Sequence, residues 1–139
     1  MSGIRGKDTK PELQIRKALH ARGFRYLLHD RRLPGKPDIV LPKYNAVIFI
    51  HGCFWHGHDC HLFKMPKSRR AFWNRKINGN RQRDEETYSR LREQGWYILT
   101  VWECALKGRG RYPADTVIDK IVDWIKYSPR SRSIRGKTI

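Results

Sequence analysis

The segment His51-Gly-Cys-Phe-Trp-His-Gly-His-Asp-Cys60 places two thiols, three imidazoles and a carboxylate on one short stretch of chain. Cys and His together are the ligands that borderline-soft metals such as zinc prefer. Imidazole is also the side chain that moves protons near neutral pH. Metal binding and proton transfer therefore compete for the same residues. Cys53, His58 and Cys60 are close enough along the chain to chelate one ion. Cys104 supplies a fourth ligand if the strand before it lies beside the strand ending at Ile50. A closed Cys3His set would be a structural zinc. His56 and His61 are rival ligands that spacing does not exclude, and buried thiols among scattered histidines are the plain alternative.

A second group of residues points to phosphodiester chemistry. Pro37-Asp38 opens one strand of a predicted hairpin and Phe49-Ile-His51 closes the facing one. The layout is similar to the core of metal-dependent nucleases, where a carboxylate after Pro and an acidic-x-Lys element face one divalent ion. Here Phe49 takes the acidic position and His51 the lysine position. Asp38 is a hard oxygen ligand suited to Mg²⁺, and the main-chain carbonyl of Ile50 can stand in for the missing carboxylate. His51 and His56 would then handle proton transfers and phosphate contacts. Taken alone, Asp38 is also an ordinary strand-edge residue. Glu12, in Thr9-Lys-Pro-Glu12, is likewise an ordinary capping-box residue unless it faces Asp38. Phe54-Trp55 projects two large rings from a loop, and Trp73 is a third candidate. Loop aromatics beside a basic surface stack on bases or wedge between base pairs; packing over the zinc loop is the alternative.

These residues need a scaffold, and the remaining sequence outlines one. The capping box and Pro11 start a helix whose apolar face is Leu13, Ile15, Ala18, Leu19 and Ala21, closed by Gly23. Phe24 to His29 alternates loosely, Leu33-Pro-Gly-Lys-Pro37 is a turn, and Asp38–Leu41 and Ala46–Ile50 read as paired strands. Residues Arg69 to Gln94 are charged and largely helical, with a break expected at Asn78-Gly-Asn80. Trp96 to Trp102 is a third buried strand. A last helix follows Pro113, with Val117, Ile118, Ile121, Val122, Trp124 and Ile125 at helical spacing. This order implies an α/β sandwich around a mostly buried sheet.

The chain of 139 residues suits one domain, taken here as residues 1–127, followed by a basic tail at 128–139 expected to be disordered. Thirty Lys and Arg against 13 Asp and Glu give a net charge of +17. Such a charge draws polyanions, nucleic acid first and an anionic membrane surface second. The sequence has no stretch of membrane-spanning length and apolarity, no lipidation pattern and no secretion signal. The expectation is a cytoplasmic protein whose three cysteines stay reduced and serve as ligands.

Five segments together carry a family resemblance: Arg5-Gly-Lys-Asp-Thr-Lys-Pro-Glu12, Leu33-Pro-Gly-Lys-Pro-Asp38, Val47-Ile-Phe-Ile-His-Gly-Cys-Phe-Trp-His56, Phe72-Trp73 and Val101-Trp-Glu-Cys-Ala-Leu106. From Ile4 to Tyr127 the chain resembles the very short patch repair (Vsr) endonucleases, bacterial enzymes that nick DNA at T·G mismatches left by 5-methylcytosine deamination. The resemblance implies a restriction-endonuclease-like fold, a central mixed sheet flanked by helices with a structural zinc loop. It implies Asp38 and the Ile50 carbonyl at Mg²⁺, His51 and His56 at the scissile phosphate, and Glu12 in support. Cys53, His58, Cys60 and Cys104 would hold one zinc, while Phe54, Trp55 and Trp73 would enter the duplex beside the mismatch from the major groove. Hydrolysis would fall 5′ to the mismatched thymine.

Relatives usually carry a further basic segment before the residues matching Ile4 onward, one that reaches into the minor groove. This sequence begins after it, so a weaker grip on DNA is expected, with the chemistry retained. Gly57 stands where relatives often have a run of histidines, which favours His58 as the zinc ligand. The partners implied are mismatched duplex DNA and mismatch-repair proteins. A monomer working at the nucleoid is expected, because a mismatch offers no two-fold site. The rival readings are another nuclease of the same fold, separated by its substrate, and a non-catalytic zinc-stabilised DNA-binding module, in which Asp38→Ala would change nothing.

Overall fold

The computed structural model describes residues 9–127 and 130–137; the first four residues of the segment Arg5–Glu12 lie outside them. Helix α1, Lys10–Ala21, begins where the Thr9 hydroxyl accepts the Glu12 N–H at 3.4 Å, with Pro11 in the first turn. Strands β1 (Leu27–Leu28), β2 (Ile39–Leu41) and β3 (Ala46–His51) follow, with β2 and β3 joined by a 3₁₀ turn that ends at left-handed Asn45. Then come α2 (Arg70–Glu93), β4 (Tyr97–Trp102), α3 (Ala114–Tyr127) and β5 (Arg132–Ile134). The five strands lie in the order β1-β2-β3-β4-β5. The first three are antiparallel, whereas β4 and β5 run parallel to β3.

Alternation along the strands sorts the core into two layers. Ile48, Leu99 and Val101 pack with Ile15 and Leu19 of α1 and with Val117, Ile121 and Trp124 of α3. Val47, Phe49 and Ile98 face the other way, against Leu91 and Tyr88 of α2. Both faces of the sheet are thus covered, as the unbroken apolar runs of β3 and β4 require. The same parity places His51 with Val47 and Phe49, on the α2 side. Among the described residues, no helix is long and apolar enough to cross a membrane.

Two local expectations are corrected. Helix α2 runs unbroken for 24 residues through Asn78-Gly-Asn80. An interior Gly costs a helix only about 1 kcal/mol. Here Ile77 is buried and the Asn80 amide donates to the Trp55 carbonyl at 2.8 Å, so tertiary contacts hold the turn. The tail expected to be disordered instead supplies β5, with Leu99 paired to Arg132 and Val101 to Ile134. The open edge of β4 needs partners for its N–H and C=O groups, Ile134 packs against the core, and the Trp124 indole donates to the Arg130 carbonyl at 2.6 Å. Positions 128, 129, 138 and 139 of that segment lie outside the described residues.

Candidate active site and thiol–imidazole centre

The parallel register pairs His51 with Trp102, so Cys53, just past β3, meets Cys104, just past β4. The ligand atoms of Cys53, His58, Cys60 and Cys104 all lie within 4.8 Å of one another. The His58 Nδ1 is 3.7 Å from the Cys104 sulfur, and its ring stacks on Trp102 at 4.0 Å. The Cys53 N–H donates to Glu103 at 3.2 Å, pinning the start of the loop to the end of β4. Burial first, then the neighbouring thiols, push the Cys53 and Cys104 thiols up. A divalent ion reverses that balance by stabilising thiolates, so the donor set fits zinc. The rival ligands are occupied elsewhere. His61 accepts the Arg109 N–H at 3.1 Å, and His56 pairs with Asp84.

The β2–β3 hairpin opens onto a cleft of about 690 Å³ lined in part by His29, Asp38, His51, His56 and Asp84, with Arg31 and Lys36 adding positive charge. The Asp38 Oδ2 accepts the Ile50 N–H at 2.7 Å, so strand register sets the carboxylate. In an extended pair a residue's N–H and C=O face the same neighbour, which puts the Ile50 carbonyl on Asp38's side of β3. Gly35, at φ +74, lies so close to α2 that an added Cβ would sit 2.4 Å from Thr87. The turn before Asp38 is thereby seated on the helix. Burial, and secondarily the charge of Glu12, raise Asp38 to about 7 against the opposing Ile50 hydrogen bond.

Glu12 is buried behind this cleft. Thr9 caps its N–H, while its carboxylate lies 3.1 Å from Arg16 and 2.7 Å from the His29 Nε2. The Glu12 N–H thus takes the Thr9 cap, while its carboxylate turns toward Arg16 and His29. The His29 Nε2 also lies 3.8 Å from Asp38 Oδ1. It makes no aligned hydrogen bond despite its short approach to Glu12.

His51 and His56 stack face to face, 3.8 Å between centroids and 3° between planes. Burial, with His56 adding to it, lowers His51 to about 3, so it is neutral at physiological pH. The Tyr88 hydroxyl is 3.5 Å from the His51 Nδ1 and 3.3 Å from Thr100. The His56 Nδ1 lies 2.5 Å from Asp84 Oδ2, which leaves Nε2 as its second proton-carrying atom. Trp102 meets His51 edge-on at 5.3 Å while stacking on His58, so one indole touches both centres.

Phe54, Trp55 and Trp73 form one half-buried cluster, with centroids 5.2, 5.4 and 5.8 Å apart. Phe63 stacks on Phe54 at 5.9 Å. The rings pack on one another beside the thiol loop and still present surface to solvent.

Two cleft residues escape sequence reasoning. His29 stands at a left-handed corner, φ 47, with no local signature. Asp84 had one: it falls on the stripe Ile77, Asn80, Asp84, Tyr88, Leu91, whose ends are buried. A carboxylate on the inward stripe of an otherwise charged helix signals a partner.

Comparison with known proteins places these features in context. A family model for the DNA mismatch endonuclease Vsr matches residues 1–62. The DNA mismatch endonuclease Vsr of Escherichia coli strain K12 is 44% identical over 125 residues, covering 90% of this chain and 80% of that protein. The type II nicking enzyme V.XorIIP of Xanthomonas oryzae is 46% identical over 114 residues, 82% of this chain and 84% of its own. The type II nicking enzyme V.NmeAIP of Neisseria meningitidis is 50% identical over 109 residues, 78% of each chain.

Proposed function

The chain belongs to the DNA mismatch endonuclease Vsr family, and from that premise we propose that it nicks one strand of duplex DNA 5′ to the thymine of a T·G mismatch. The scaffold is read as a restriction-endonuclease-like fold and the active unit as a monomer, in the bacterial cytoplasm at the nucleoid. The observation that carries the reading is the convergence of Asp38, His51 and His56 in one cleft, with Asp84 behind His56. Arg31 and Lys36 receive the phosphate backbone.

Asp38 and the Ile50 carbonyl, with Glu12 in support, would hold Mg²⁺. When bound, that ion supplies positive charge to the scissile phosphate and to the leaving oxygen. Cys53, His58, Cys60 and Cys104 would hold a structural zinc that fixes the loop carrying His56, Phe54 and Trp55. His56 takes the proton of the attacking water, because Asp84 stabilises the imidazolium that forms. His51 stays neutral and donates a hydrogen bond to a phosphate oxygen. Two stacked imidazoles do not both carry charge at this separation, so the roles divide. The water oxygen bonds to phosphorus, the sugar–phosphate bond breaks, and the nick is left for a polymerase to extend. Phe54, Trp55 and Trp73 open the stack beside the mismatch.

The test is a strand-specific nicking assay with Mg²⁺ on a labelled T·G duplex and its T·A twin, with wild type and Asp38→Ala. A cut 5′ to the mismatched thymine, absent from T·A and from the variant, is expected. Cutting of both duplexes would point instead to a nicking enzyme that does not require the mismatch; two of the relatives above are named simply as type II nicking enzymes. Binding without any cut by wild type would point to a DNA-binding module.

A further inference from the structure

We infer that His29 is a metal ligand: with Glu12 and Asp38 it forms a three-donor site, two carboxylates and one imidazole, for a divalent transition ion of the Mn²⁺ class. The inference rests on the nuclease reading of this cleft and deepens it, since Asp38 and the Ile50 carbonyl alone would make an all-oxygen site. The three side chains each offer a ligand atom, all within 4.8 Å of one another. The His29 Nε2 stands 2.7 Å from Glu12 Oε2 and 3.8 Å from Asp38 Oδ1. Metal–ligand distances near 2.1 Å put neighbouring octahedral donors about 3 Å apart, so one ion fits all three with small side-chain shifts.

Two independent observations favour a ligand over a packing histidine. The Nε2 atom is buried and, though 2.7 Å from the Glu12 carboxylate, makes no aligned hydrogen bond. The backbone of His29 is held at φ 47, and its N–H donates to the Asp38 carbonyl at 3.1 Å. A non-glycine residue in that region is maintained at a cost on the order of 1 kcal/mol or more. The hydrogen bond ties its position directly to that of Asp38. Arg16, 3.1 Å from the same Glu12 oxygen, anchors the carboxylate from the other side. Imidazole nitrogen favours Mn²⁺ and later ions over Mg²⁺ relative to an all-oxygen set.

The test uses the zinc-loaded full chain, so that the thiol centre is already filled. Mn²⁺ is titrated calorimetrically into wild type, His29→Gln and Asp38→Ala, and electron spin echo modulation reports whether nitrogen is bonded directly to the bound Mn²⁺. Directly bonded nitrogen in wild type and its loss in His29→Gln are expected, with Mn²⁺ affinity reduced tenfold or more and Mg²⁺ affinity reduced less. Nitrogen coupling that is absent from wild type, or that persists in His29→Gln through His51 or His56, overturns the assignment. If that happens while Mg²⁺-dependent nicking of the mismatched duplex proceeds, only the role of His29 falls. If Mn²⁺ does not bind and no duplex is nicked, the nuclease reading of the cleft falls with it.

Discussion

Asp84 reaches from helix α2 to His56 in the thiol loop, its Oδ2 2.5 Å from the imidazole Nδ1. The contact sets which nitrogen carries the proton: with Nδ1–H on the carboxylate, Nε2 is the base. Asp84→Asn keeps the size of the side chain, but its amide donates to Nδ1 and so inverts the tautomer. The expected result is a fall of about 10²- to 10⁴-fold in the single-turnover nicking rate, with DNA affinity and melting temperature near wild type. A variant that nicks at the wild-type rate would remove His56 from the proposed role of base.

Why was the partner of His56 harder to read than His56 itself? The thiol loop is legible because its chemistry is local: Cys53, His58 and Cys60 follow a short apolar run, rich in β-branched residues, that reads as a buried strand. Cys104 becomes legible once β4 is placed beside β3, a pairing that the structure shows. Asp84 and His29 depend on what packs against what. Asp84 looks like one charge among many until α2 is seen to turn that stripe inward, and His29 becomes meaningful only through its corner beside Asp38. The two corrections share this origin. The small local penalty at Gly79 is outweighed by the burial of Ile77 and the Asn80 hydrogen bond. Strand β5 forms from residues with little apolar character because the edge of β4 requires a partner.

The raised Asp38 carboxyl makes stability depend on pH. An unfolded carboxyl titrates near pH 4, whereas burial, and then Glu12, hold Asp38 at about 7. The folded chain therefore keeps a proton that the unfolded chain releases. Stability from this group is present below about pH 4 and is lost as pH rises through about 7. Fully ionised and without a cation, the penalty is on the order of 4 kcal/mol. In divalent-free buffer near pH 8, Asp38→Asn should melt above wild type, with the gap closing toward pH 5. Added Mg²⁺ should raise the wild-type melting temperature near pH 8 and leave the variant unmoved. A pH-independent gap would show that Asp38 ionises normally.

The segment that follows β5 is expected to control retention of the proposed zinc. The Gly136 N–H donates to the Cys104 sulfur at 3.2 Å, and a Cβ on Gly136 would stand 2.3 Å from the Cys104 carbonyl oxygen. Arg135 clamps Asp59, between His58 and Cys60, through its side chain at 2.7 Å and its carbonyl at 2.8 Å. Outer contacts of this kind are worth about 10- to 100-fold in metal affinity. Gly136→Ala should release zinc to a colorimetric chelator correspondingly faster. Arg135→Ala should have a smaller effect, because its ion pair is exposed. Wild-type release from Gly136→Ala would separate the segment after β5 from the metal centre.

The aromatic cluster can be tested for recognition against packing, because the two predict opposite outcomes. Trp55 and Trp73 sit 5.8 Å apart and half-buried, and the backbone of Trp55 is held by Asn80 independently of its ring. Removing either ring should therefore cost the fold little. A ring that stacks on an opened base is worth about 1–3 kcal/mol, or roughly 5- to 150-fold in kcat/KM on the mismatched duplex. Trp55→Ala and Trp73→Ala should show losses of this size on T·G and smaller losses in binding to T·A, while Trp55→Phe keeps most of the activity. If the rings chiefly pack the thiol loop, the same variants will instead lower the melting temperature by several degrees and weaken both duplexes equally. The ratio of T·G to T·A effects, compared with the shift in melting temperature, separates the two. Phe54, in contact with both tryptophans and with Phe63, is expected to register in both measurements.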